Sequence, residues 1–294
     1  MITLSTCPIC SGNNFVDFLI CKDHTTSCEN FSLKKCGTCE FTFTDPKPDE
    51  QSIGKYYQSD KYISHTGGQK KLLDSIYLLA RKIALTNKRR LVEEKFNGKS
   101  VLDFGCGTGE FLKEMKDHGW RIAGVEPSQK ANEKAFLTTN NKIYKSLSEI
   151  QESNFDVITL WHVLEHLHDL NGSLRKFFDL LKESGTIFIA VPNMQSYDAQ
   201  FYKSFWAGYD VPRHLWHFNQ ENMKKLLENN GFILSGVIPM KMDSYYVSLL
   251  SESYKHPDQP KFINLIKAFN RGLVSNLKAK KSSNYSSLIY IARR

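Results

Sequence analysis

Long hydrophobic runs are missing from this sequence of 294 residues. No apolar stretch approaches the roughly 20 residues needed to cross a bilayer, so a membrane-spanning helix is not expected. The first residues show no basic region followed by an apolar core, so we expect no secretory signal and a cytoplasmic protein. The chain has no internal repeat, and its 41% hydrophobic and 24% charged residues are typical of a globular fold.

Cysteine is sparse, with seven residues in the chain, and reduced cytoplasmic thiols are more often ligands than disulfides. Four of them form two C-x2-C pairs, Cys7 with Cys10 and Cys36 with Cys39, separated by 25 residues. Two such pairs can complete a tetrahedral site, which predicts structural zinc. The alternating pattern around the second pair predicts a small β-ribbon, residues 1–48, that the metal would stabilise. The alternatives are a redox-active pair and a site that borrows Cys21, His24 or Cys28.

Acidic groups are scarce in two stretches of the chain. Residues 61–99 and residues 241–294 each carry ten basic and three acidic groups, whereas residues 1–60 and 100–240 each have a net charge of −3. Basic flanks attract the phosphates of nucleic acids, nucleotide-sugars or anionic lipids. Solvated helix faces explain the same pattern, and residues 256–283 read as a basic helix and loop without evident chemistry.

A pyrophosphate-binding fingerprint is also missing, although a glycine turn occurs in the middle of the chain. The run Val101–Phe104 is apolar except for Asp103, and alternate glycines at positions 105–109 precede a helical apolar pattern. This order predicts a buried strand, a tight turn and a helix N-terminus. Dinucleotide-binding proteins use G-x-G-x-x-G to hold a pyrophosphate at the helix N-terminus. An acid just before the first glycine would repel a pyrophosphate and attract a cation.

A second acid indicates that the ligand carries a ribose. Glu126 closes the next apolar strand, where a carboxylate can accept hydrogen bonds from ribose hydroxyls. Together with Asp103 and the missing phosphate clamp, Glu126 points to a cationic nucleoside such as S-adenosylmethionine. A nicotinamide-dependent Rossmann enzyme is the alternative explanation of the glycine turn.

Three segments of the chain, Asp103–Gly109, Gly124–Pro127 and Phe155–Ile158, resemble motifs I, II and IV of class I S-adenosylmethionine-dependent methyltransferases. Their order and spacing fit that family over roughly residues 95 to 240. The resemblance implies that the cofactor is bound by Asp103, Phe104, Gly105, Cys106, Gly107, Gly109, Glu126, Pro127, Trp161 and His162.

Strand and helix patterns alternate through the same region, which predicts an α/β fold with a parallel sheet covered on both faces. The predicted strands are 101–103, 122–126, 142–144, 155–160, 186–191, 233–239 and 287–291, and the predicted helices include 110–118, 128–138 and 173–182. The resemblance implies a Rossmann-like sheet of seven strands, the last antiparallel, in a domain of residues 96–294. A linker and helix, residues 49–95, would join it to the zinc ribbon, with tyrosines such as Tyr57 and Tyr62 as packing or as a lid.

The segment Trp161–His166 resembles the part of ubiquinone-biosynthesis O-methyltransferases that borders the methionine end of the cofactor. In some of these relatives an acid, acid, histidine set holds a divalent metal. Here His162 replaces the first acid, so a metal held by His162, Glu165 and His166 stays open. His166 is otherwise a structural histidine, and His162 is a candidate contact for cofactor or substrate.

Residues 193–218 form an aromatic insertion where the active site should open. Its D-x-P-R-H-L-x-H-F motif, residues 210–218, resembles a subgroup of methyltransferases that is often associated with sugars, polysaccharides and secondary metabolites. Aromatic side chains there would build an apolar pocket, and a histidine could accept a proton from the acceptor. The candidate catalytic residues are His162, His214 and His217. The candidate substrate-binding residues are Tyr57, Asn193, Trp206, Arg213 and His214. A packed insertion without a catalytic histidine is the alternative, in which Arg213 merely pairs with Asp210.

We therefore expect a zinc-ribbon methyltransferase that acts on a small-molecule or carrier-linked acceptor, such as a sugar or a nucleotide-linked metabolite. RNA methylation is the second hypothesis, because ribosomal-RNA guanine methyltransferases also carry an N-terminal zinc ribbon and basic flanks suit phosphate contacts. A non-catalytic cofactor-binding module is the third. Neither the accepting atom nor the oligomeric state follows from the sequence.

Overall fold

The structure is a computed structural model that describes residues 1–58, 71–95 and 99–294. Expectations for residues 59–70, including Tyr62, lie outside the described residues. The strands are β1 (Phe15–Lys22), β2 (Asn30–Cys36), β3 (Thr42–Thr44), β4 (Ser100–Phe104), β5 (Arg121–Val125), β6 (Ile143–Tyr144), β7 (Phe155–Trp161), β8 (Leu181–Pro192), β9 (Trp216–His217), β10 (Ile233–Pro239) and β11 (Ser287–Arg293). The α-helices are α1 (Lys71–Lys95), α2 (Glu110–Asp117), α3 (Gln129–Thr139), α4 (Leu170–Leu180), α5 (Tyr197–Tyr202), α6 (Gln220–Asn229), α7 (Asp243–Lys255) and α8 (Lys261–Ser282).

A seven-stranded sheet forms the centre of the fold, in the order β10-β11-β8-β7-β4-β5-β6. Strand β11 is antiparallel to both of its neighbours, and the remaining pairs are parallel, so the predicted Rossmann-like sheet is confirmed. Strand β4 lies inside the sheet and is buried along its whole length, which explains its nearly continuous apolar sequence. Strand β5 lies on one side of β4 and strand β7 lies on the other. The strand order therefore reverses at β4, and the carboxyl ends of β5 and β7 flank a crevice there.

Most element predictions hold, with two differences. The predicted helix 173–182 ends earlier, at Leu180, and β8 begins at Leu181 rather than at 186, because Leu181 pairs with Phe155 of β7. Helices α5 and α7 were not predicted. The described residues include no helix that is both long enough and apolar enough to span a membrane.

A second sheet, in the order β1-β2-β3-β9, joins the N-terminal ribbon to the aromatic insertion. Strand β9 belongs to the insertion, and it pairs antiparallel with β3 through Phe43 with Trp216 and Thr42 with His217. The ring of Phe41 stacks on Trp216 with centroids 5.9 Å apart and lies 5.7 Å from the ring of Phe218. The ribbon and the insertion therefore share one sheet and one apolar core, although the boundaries proposed at residues 48 and 95 stay predictions.

A buried ion cluster fastens these parts together. The Arg213 side chain is 1% exposed, and its guanidinium donates to Asp23 at 3.0 Å, to Asp210 at 2.7 Å and to the carbonyl of Tyr56 at 2.9 Å. Burial alone would raise the pKa of Asp23, but Arg213 and the amide of Ser27 hold that pKa well below its usual range. Both carboxylates are therefore ionised around the guanidinium, and one side chain ties the ribbon, the linker and the insertion to each other.

Replacing this arginine is expected to be strongly destabilising. In Arg213→Met, Asp23 and Asp210 would keep buried negative charges without a counter-charge, so we expect the free energy of unfolding to fall by about 3–5 kcal/mol. Urea unfolding followed by circular dichroism measures this loss. The exposed Arg175 provides the matched control, since Arg175→Met should change the free energy by less than about 0.5 kcal/mol. Equal stability of the two variants would contradict the assignment.

Candidate functional site

The glycine turn opens the crevice at the carboxyl end of β4. Gly105, Gly107 and Gly109 all have positive φ, at 74°, 56° and 82°. A side chain on Gly105 would meet Val163, because a Cβ there would lie 2.5 Å from the nearest methyl carbon. A Cβ on Gly107 would meet no atom within 4 Å, so open space lies directly beside the backbone at this position. A ligand can therefore approach the main chain closely.

Asp103 lies at the end of β4 as a buried carboxyl. Its side chain accepts a hydrogen bond of 2.6 Å from the hydroxyl of Thr159 on the neighbouring strand β7. Burial raises the pKa of Asp103 to about 7, although Thr159 and the ammonium of Lys88 lower it. A carboxyl that is only half ionised near neutral pH gains its full charge when a cation binds beside it.

Glu126 follows β5 and faces the same turn. Its Oε2 accepts a hydrogen bond from the amide of Gly107 and its Oε1 accepts one from the amide of Ser128, both at 2.9 Å. Burial raises the pKa of Glu126, while these two amides lower it. The carboxylate is thus held across the turn, as the ribose prediction requires. The other predicted cofactor residues surround the turn: Phe104 and Cys106 are buried beside it, and Pro127 is exposed.

His162 follows β7 and carries a positive charge on the other side of the crevice from Glu126. This crevice at the carboxyl ends of β4, β5 and β7 is called the cleft below. It has a positive φ of 59°, and its Nε2 lies 3.1 Å from Asp243 Oδ2 while its Nδ1 lies 3.4 Å from Glu165 Oε1. Burial lowers the pKa of His162, but the two carboxylates outweigh burial and raise it to about 9. At neutral pH the ring is an imidazolium that donates from Nε2 to Asp243 and lies within ion-pair distance of Glu165. This environment favours a positioning role over the predicted role of a base.

Two charged residues of the cleft were not predicted from the sequence. The ammonium of Lys88, on α1, lies 4.4 Å from the ring centre of Trp161, and burial lowers its pKa while Asp103 and Asp243 raise it. Lys88 is one of several basic residues on the polar side of a helix, and Asp243 begins a helix that was not predicted. No local pattern distinguishes either residue, because both reach the cleft only through tertiary packing.

A second polar group, defined by Glu165, His166 and His214, adjoins His162. The potential ligand atoms of these three side chains lie within 4.8 Å of one another. His166 Nδ1 lies 3.0 Å from the carbonyl oxygen of Arg213 and 3.0 Å from the hydroxyl of Tyr57. His214 Nδ1 donates to the carbonyl of Gly208 at 2.9 Å. Carbonyls accept only, so each ring carries a hydrogen on Nδ1, and the neutral ring of His166 keeps a lone pair on Nε2.

The protonation of this group differs from that of His162. Burial, reinforced by His214, lowers the pKa of His166 to about 4, so its imidazole is neutral at physiological pH. Glu165 is fully buried, and the described residues offer neither of its oxygens a hydrogen bond. The arrangement can accept a proton or a cation. His214 is the third member of this group. The metal-binding trio considered from the sequence contained His162 in its place, and Nε2 of His162 contacts Asp243.

The remaining predicted acceptor residues have structural partners. Trp206 is buried and donates from Nε1 to Asp198 at 2.8 Å, and His217 is buried with its Nε2 3.1 Å from the hydroxyl of Thr44. Burial also holds the pKa of His217 well below its usual value. This corrects the expectation of an open aromatic pocket, because the rings of the insertion pack on the ribbon.

Arg213 and Asn193 are corrected in the same way. The Arg213 guanidinium donates to Asp23 and Asp210, to the hydroxyl of Thr26 and to the carbonyls of Tyr56 and Val211, which leaves it no donor for a substrate phosphate or carboxylate. Asn193 is buried and donates to Asn284 and to the carbonyl of Tyr285 at 3.3 and 3.1 Å. Of the predicted substrate-binding residues, the structure brings Tyr57 and His214 together around His166.

The four predicted metal ligands form one compact group. The Sγ atoms of Cys7, Cys10, Cys36 and Cys39 all lie within 4.8 Å of one another, and the two cross-pair distances, Cys7 to Cys39 and Cys10 to Cys36, are both 3.5 Å. Sulfurs around a tetrahedral zinc ion lie roughly 3.8 Å apart, since each Zn–S bond is about 2.3 Å. The four sulfur atoms therefore fit a zinc ion without rearrangement of the two C-x2-C turns.

Comparison with known proteins adds independent information. Residues 77–234 match the family model described as a methyltransferase domain, which covers more than half of the chain. The ubiquinone biosynthesis O-methyltransferase of Nitrosospira multiformis is 31% identical over 105 residues, which are 33% of this chain and 44% of that protein. The mitochondrial ubiquinone biosynthesis O-methyltransferase of Bos taurus is 28% identical over 162 residues, 49% of this chain and 44% of the relative. The chain thus spans less than half the length of either relative.

Solved structures show the same fold at low sequence identity. Magnesium protoporphyrin IX methyltransferase from Synechocystis PCC 6803, solved with bound SAH, superposes with a TM-score of 0.54 at 14% identity, covering 84% of this chain and 100% of that chain. A cyclopropane synthase from Mycobacterium tuberculosis gives a TM-score of 0.50 at 14% identity, covering 71% of this chain and 84% of that chain.

Proposed function

The chain belongs to the methyltransferase-domain family, and on that premise we propose that it transfers a methyl group from S-adenosylmethionine to a small-molecule or carrier-linked acceptor. One observation carries the proposal. Two carboxyl groups, the buried Asp103 and the half-buried Glu126, lie at the ends of adjacent parallel strands and flank a glycine turn that is open beside Gly107. This pairing suits a ligand with one cationic end and a ribose.

The residues of the cleft have complementary tasks in this proposal. S-adenosylmethionine supplies a methyl group bonded to a positively charged sulfur. Asp103 would attract the ammonium of the methionine part, Lys88 would meet its carboxylate, and Glu126 would accept hydrogen bonds from the ribose hydroxyls. Methyl transfer requires in-line approach of the acceptor, so the protein mainly positions the two reactants and excludes water.

We propose that the acceptor side is formed by Tyr57, His166 and His214. These rings are polar, and the Nε2 lone pair of the neutral His166 ring can take a proton from an acceptor hydroxyl. His162 already carries a proton at neutral pH, so its task is to orient Glu165 and Asp243. The relatives named as O-methyltransferases support an oxygen of a small molecule as the accepting atom.

The other acceptor hypotheses have weaker support. The motif at residues 210–218 suggested a sugar acceptor. Its Arg213 and His217 instead contact the ribbon, so these motif residues serve packing between the insertion and the ribbon. RNA methylation rested on basic flanks, but the second flank presents apolar side chains to the solvent beside its lysines. A small-molecule acceptor is therefore the favoured alternative, and cytoplasmic placement stays a prediction.

We also propose that the cysteine group binds one structural zinc ion. All four ligands would be thiolates, which leaves no open coordination position for chemistry. The metal would join the loop before β1 to the turn after β2 and thereby hold the edge of the sheet on which β9 docks.

Cofactor affinity should depend on pH through Asp103. With a pKa of about 7 in the free protein, this carboxyl is mostly protonated at pH 6 and mostly ionised at pH 8. A bound cation requires the ionised form, so the dissociation constant for S-adenosylmethionine should fall about tenfold between these pH values. Isothermal titration calorimetry measures it. In Asp103→Asn binding should be weaker and independent of pH, and a flat profile for the wild-type protein would contradict this assignment.

Methyl transfer is tested with methyl-tritiated S-adenosylmethionine and cell extract separated into RNA, protein, lipid-linked and small-molecule fractions. We expect label in the small-molecule or lipid-linked fraction. Loss of the ribose contact in Glu126→Ala should lower that label by about 10²-fold, because the cofactor loses both affinity and alignment. Asp117→Asn, an exposed change on α2, is the matched control. Label confined to RNase-sensitive material would establish the RNA hypothesis instead, and cofactor binding without label in any fraction would indicate a non-catalytic module.

The zinc proposal predicts one metal equivalent per chain. Elemental analysis should find it in the wild-type protein and in Cys28→Ser, whose cysteine is exposed and outside the group, but not in Cys36→Ser. Loss of zinc should also raise amide hydrogen exchange in β1 to β3 and in β9, because the metal stabilises the small ribbon core. Full zinc content in Cys36→Ser would show that the ion binds elsewhere.

A further inference from the structure

Helix α8 has its large apolar side chains on the outside. The residues that face the protein are small or polar: Asn264, Ala268, Gly272, Ser275 and Ala279. The α8 stripe, by contrast, is 41% to 65% exposed and consists of Phe262, Leu265, Ile266, Phe269, Leu273 and Leu277. Spacings of three and four residues place the stripe along one side of the helix. Helices on the surface of globular proteins normally show the opposite arrangement.

The packing of α7 against α8 sets this orientation. A Cβ on Gly272 would lie 2.6 Å from the ring of Tyr245 and 2.9 Å from its Cα, so only glycine permits the observed approach. Ser244 and Ser248 of α7 are fully buried, and the Ser244 hydroxyl donates to the carbonyl of Gly272 at 3.2 Å. Since the small residues are required on the inner side, the stripe cannot turn inward. A contiguous exposed apolar surface of this kind marks an interaction site.

The charge of α8 indicates which partner covers the stripe. Residues 261–282 carry six basic side chains and no acidic one. A second copy of the chain would bring two such helices together, and their like charges would repel. A neutral apolar surface would leave the lysines without counter-ions. A layer of anionic lipid supplies acyl chains for the stripe and phosphates for the lysines at the same depth.

We propose that α8 is an interfacial helix that docks the protein on an anionic lipid membrane. The helix lies in the plane of the headgroups, with the stripe inserted and Lys267, Lys280 and Lys281 reaching the phosphates. The exposed Met242, in the turn before α7, extends the same surface, because Asn276 of α8 donates to the carbonyl of Lys241 at 2.9 Å. No acidic side chain of α8 opposes this contact.

Docking would also affect the methyl-transfer site, and this step rests on the proposed function. Helix α7 begins at Asp243, whose carboxylate holds His162 in the cleft, and α7 packs along α8. A membrane beneath α8 would therefore lie one helix away from the cleft. An acceptor that enters from this side would be amphiphilic, with its apolar part in the lipid and its reactive group in the cleft.

Vesicle flotation tests the proposal with the full-length, zinc-loaded protein. We expect the protein to float with vesicles of equal parts phosphatidylcholine and phosphatidylglycerol. With phosphatidylcholine alone, binding should be at least tenfold weaker, because each lysine near an anionic surface contributes roughly a fivefold gain in affinity. High salt should weaken binding to the anionic vesicles for the same reason.

Two sets of variants separate the stripe from the lysines. The triple change Leu265→Gln, Ile266→Gln and Leu273→Gln should reduce binding to anionic vesicles at least tenfold, whereas Leu137→Gln, at a leucine of α3 that is 79% exposed, should leave it unchanged. The triple change Lys267→Gln, Lys280→Gln and Lys281→Gln should reduce binding to a similar extent. Its control is Lys130→Gln with Lys134→Gln, a double change of two exposed lysines on α3.

Three results would overturn the proposal. The first is that the wild-type protein does not float with anionic vesicles, and the second is that the stripe variant floats as well as the wild type. The third is that light scattering shows a wild-type dimer, that the stripe variant is a monomer, and that neither protein binds vesicles. The last result would assign the stripe to a second copy. All substitutions lie on exposed positions, and an unchanged circular dichroism spectrum verifies folding. Flotation requires no methyl transfer, and binding of S-adenosylmethionine to the stripe variant is measured separately by calorimetry. Failure of docking is therefore distinguishable from failure of the proposed function.

Discussion

The buried guanidinium of Arg213 is the contact on which the arrangement of this molecule depends. It lies between Asp23 of the ribbon and Asp210 of the insertion, and it also holds the carbonyl of Tyr56 in the linker. A buried charge without its partners costs several kcal/mol, so the three segments must dock together or not at all. The same residue offers its carbonyl to His166, and His214 follows it in the chain. The positions of His166 and His214 are thus a consequence of how the ribbon is attached.

Charge in the cleft follows a related logic. The basic side chains of Lys88 and His162 lie among the carboxyl groups of Asp103, Asp243 and Glu165, and each pKa reflects the balance between burial and neighbouring groups of opposite charge. The outcome differs from residue to residue. Two carboxylates outweigh burial at His162 and make it a stable cation, whereas burial prevails at Asp103 and leaves a carboxyl that ionises readily when a positive ligand arrives. The side of the cleft with Asp103 can therefore bind a cation, whereas on the other side the charge of His162 is already balanced by its two carboxylates.

The surface of the C-terminal region has a different origin from that of the cleft. The close packing of α7 on α8 through glycine and serines reserves the inner side of α8 for small residues, which leaves its large apolar side chains outside. The basic charge of this region therefore accompanies an apolar surface. In the proposed arrangement, the basic residues of this region would contact lipid phosphates, whereas the cofactor and acceptor would bind in the mildly acidic region of residues 100–240.

The sequence by itself determined the features whose causes are local. The strand, glycine turn and helix around Asp103, the acid after the next strand and the two cysteine pairs are short-range patterns, and the structure contains all of them where expected. Local spacing could not reveal Lys88 or Asp243, because the ion pair between His162 and Asp243 joins residues 81 positions apart. The role of Arg213 was open for the same reason, since its partner Asp23 lies 190 positions away. Tertiary structure alone decided which histidines meet, which aromatic rings are buried and which side of α8 faces the solvent, because burial and desolvation depend on distant parts of the chain that only folding brings into contact.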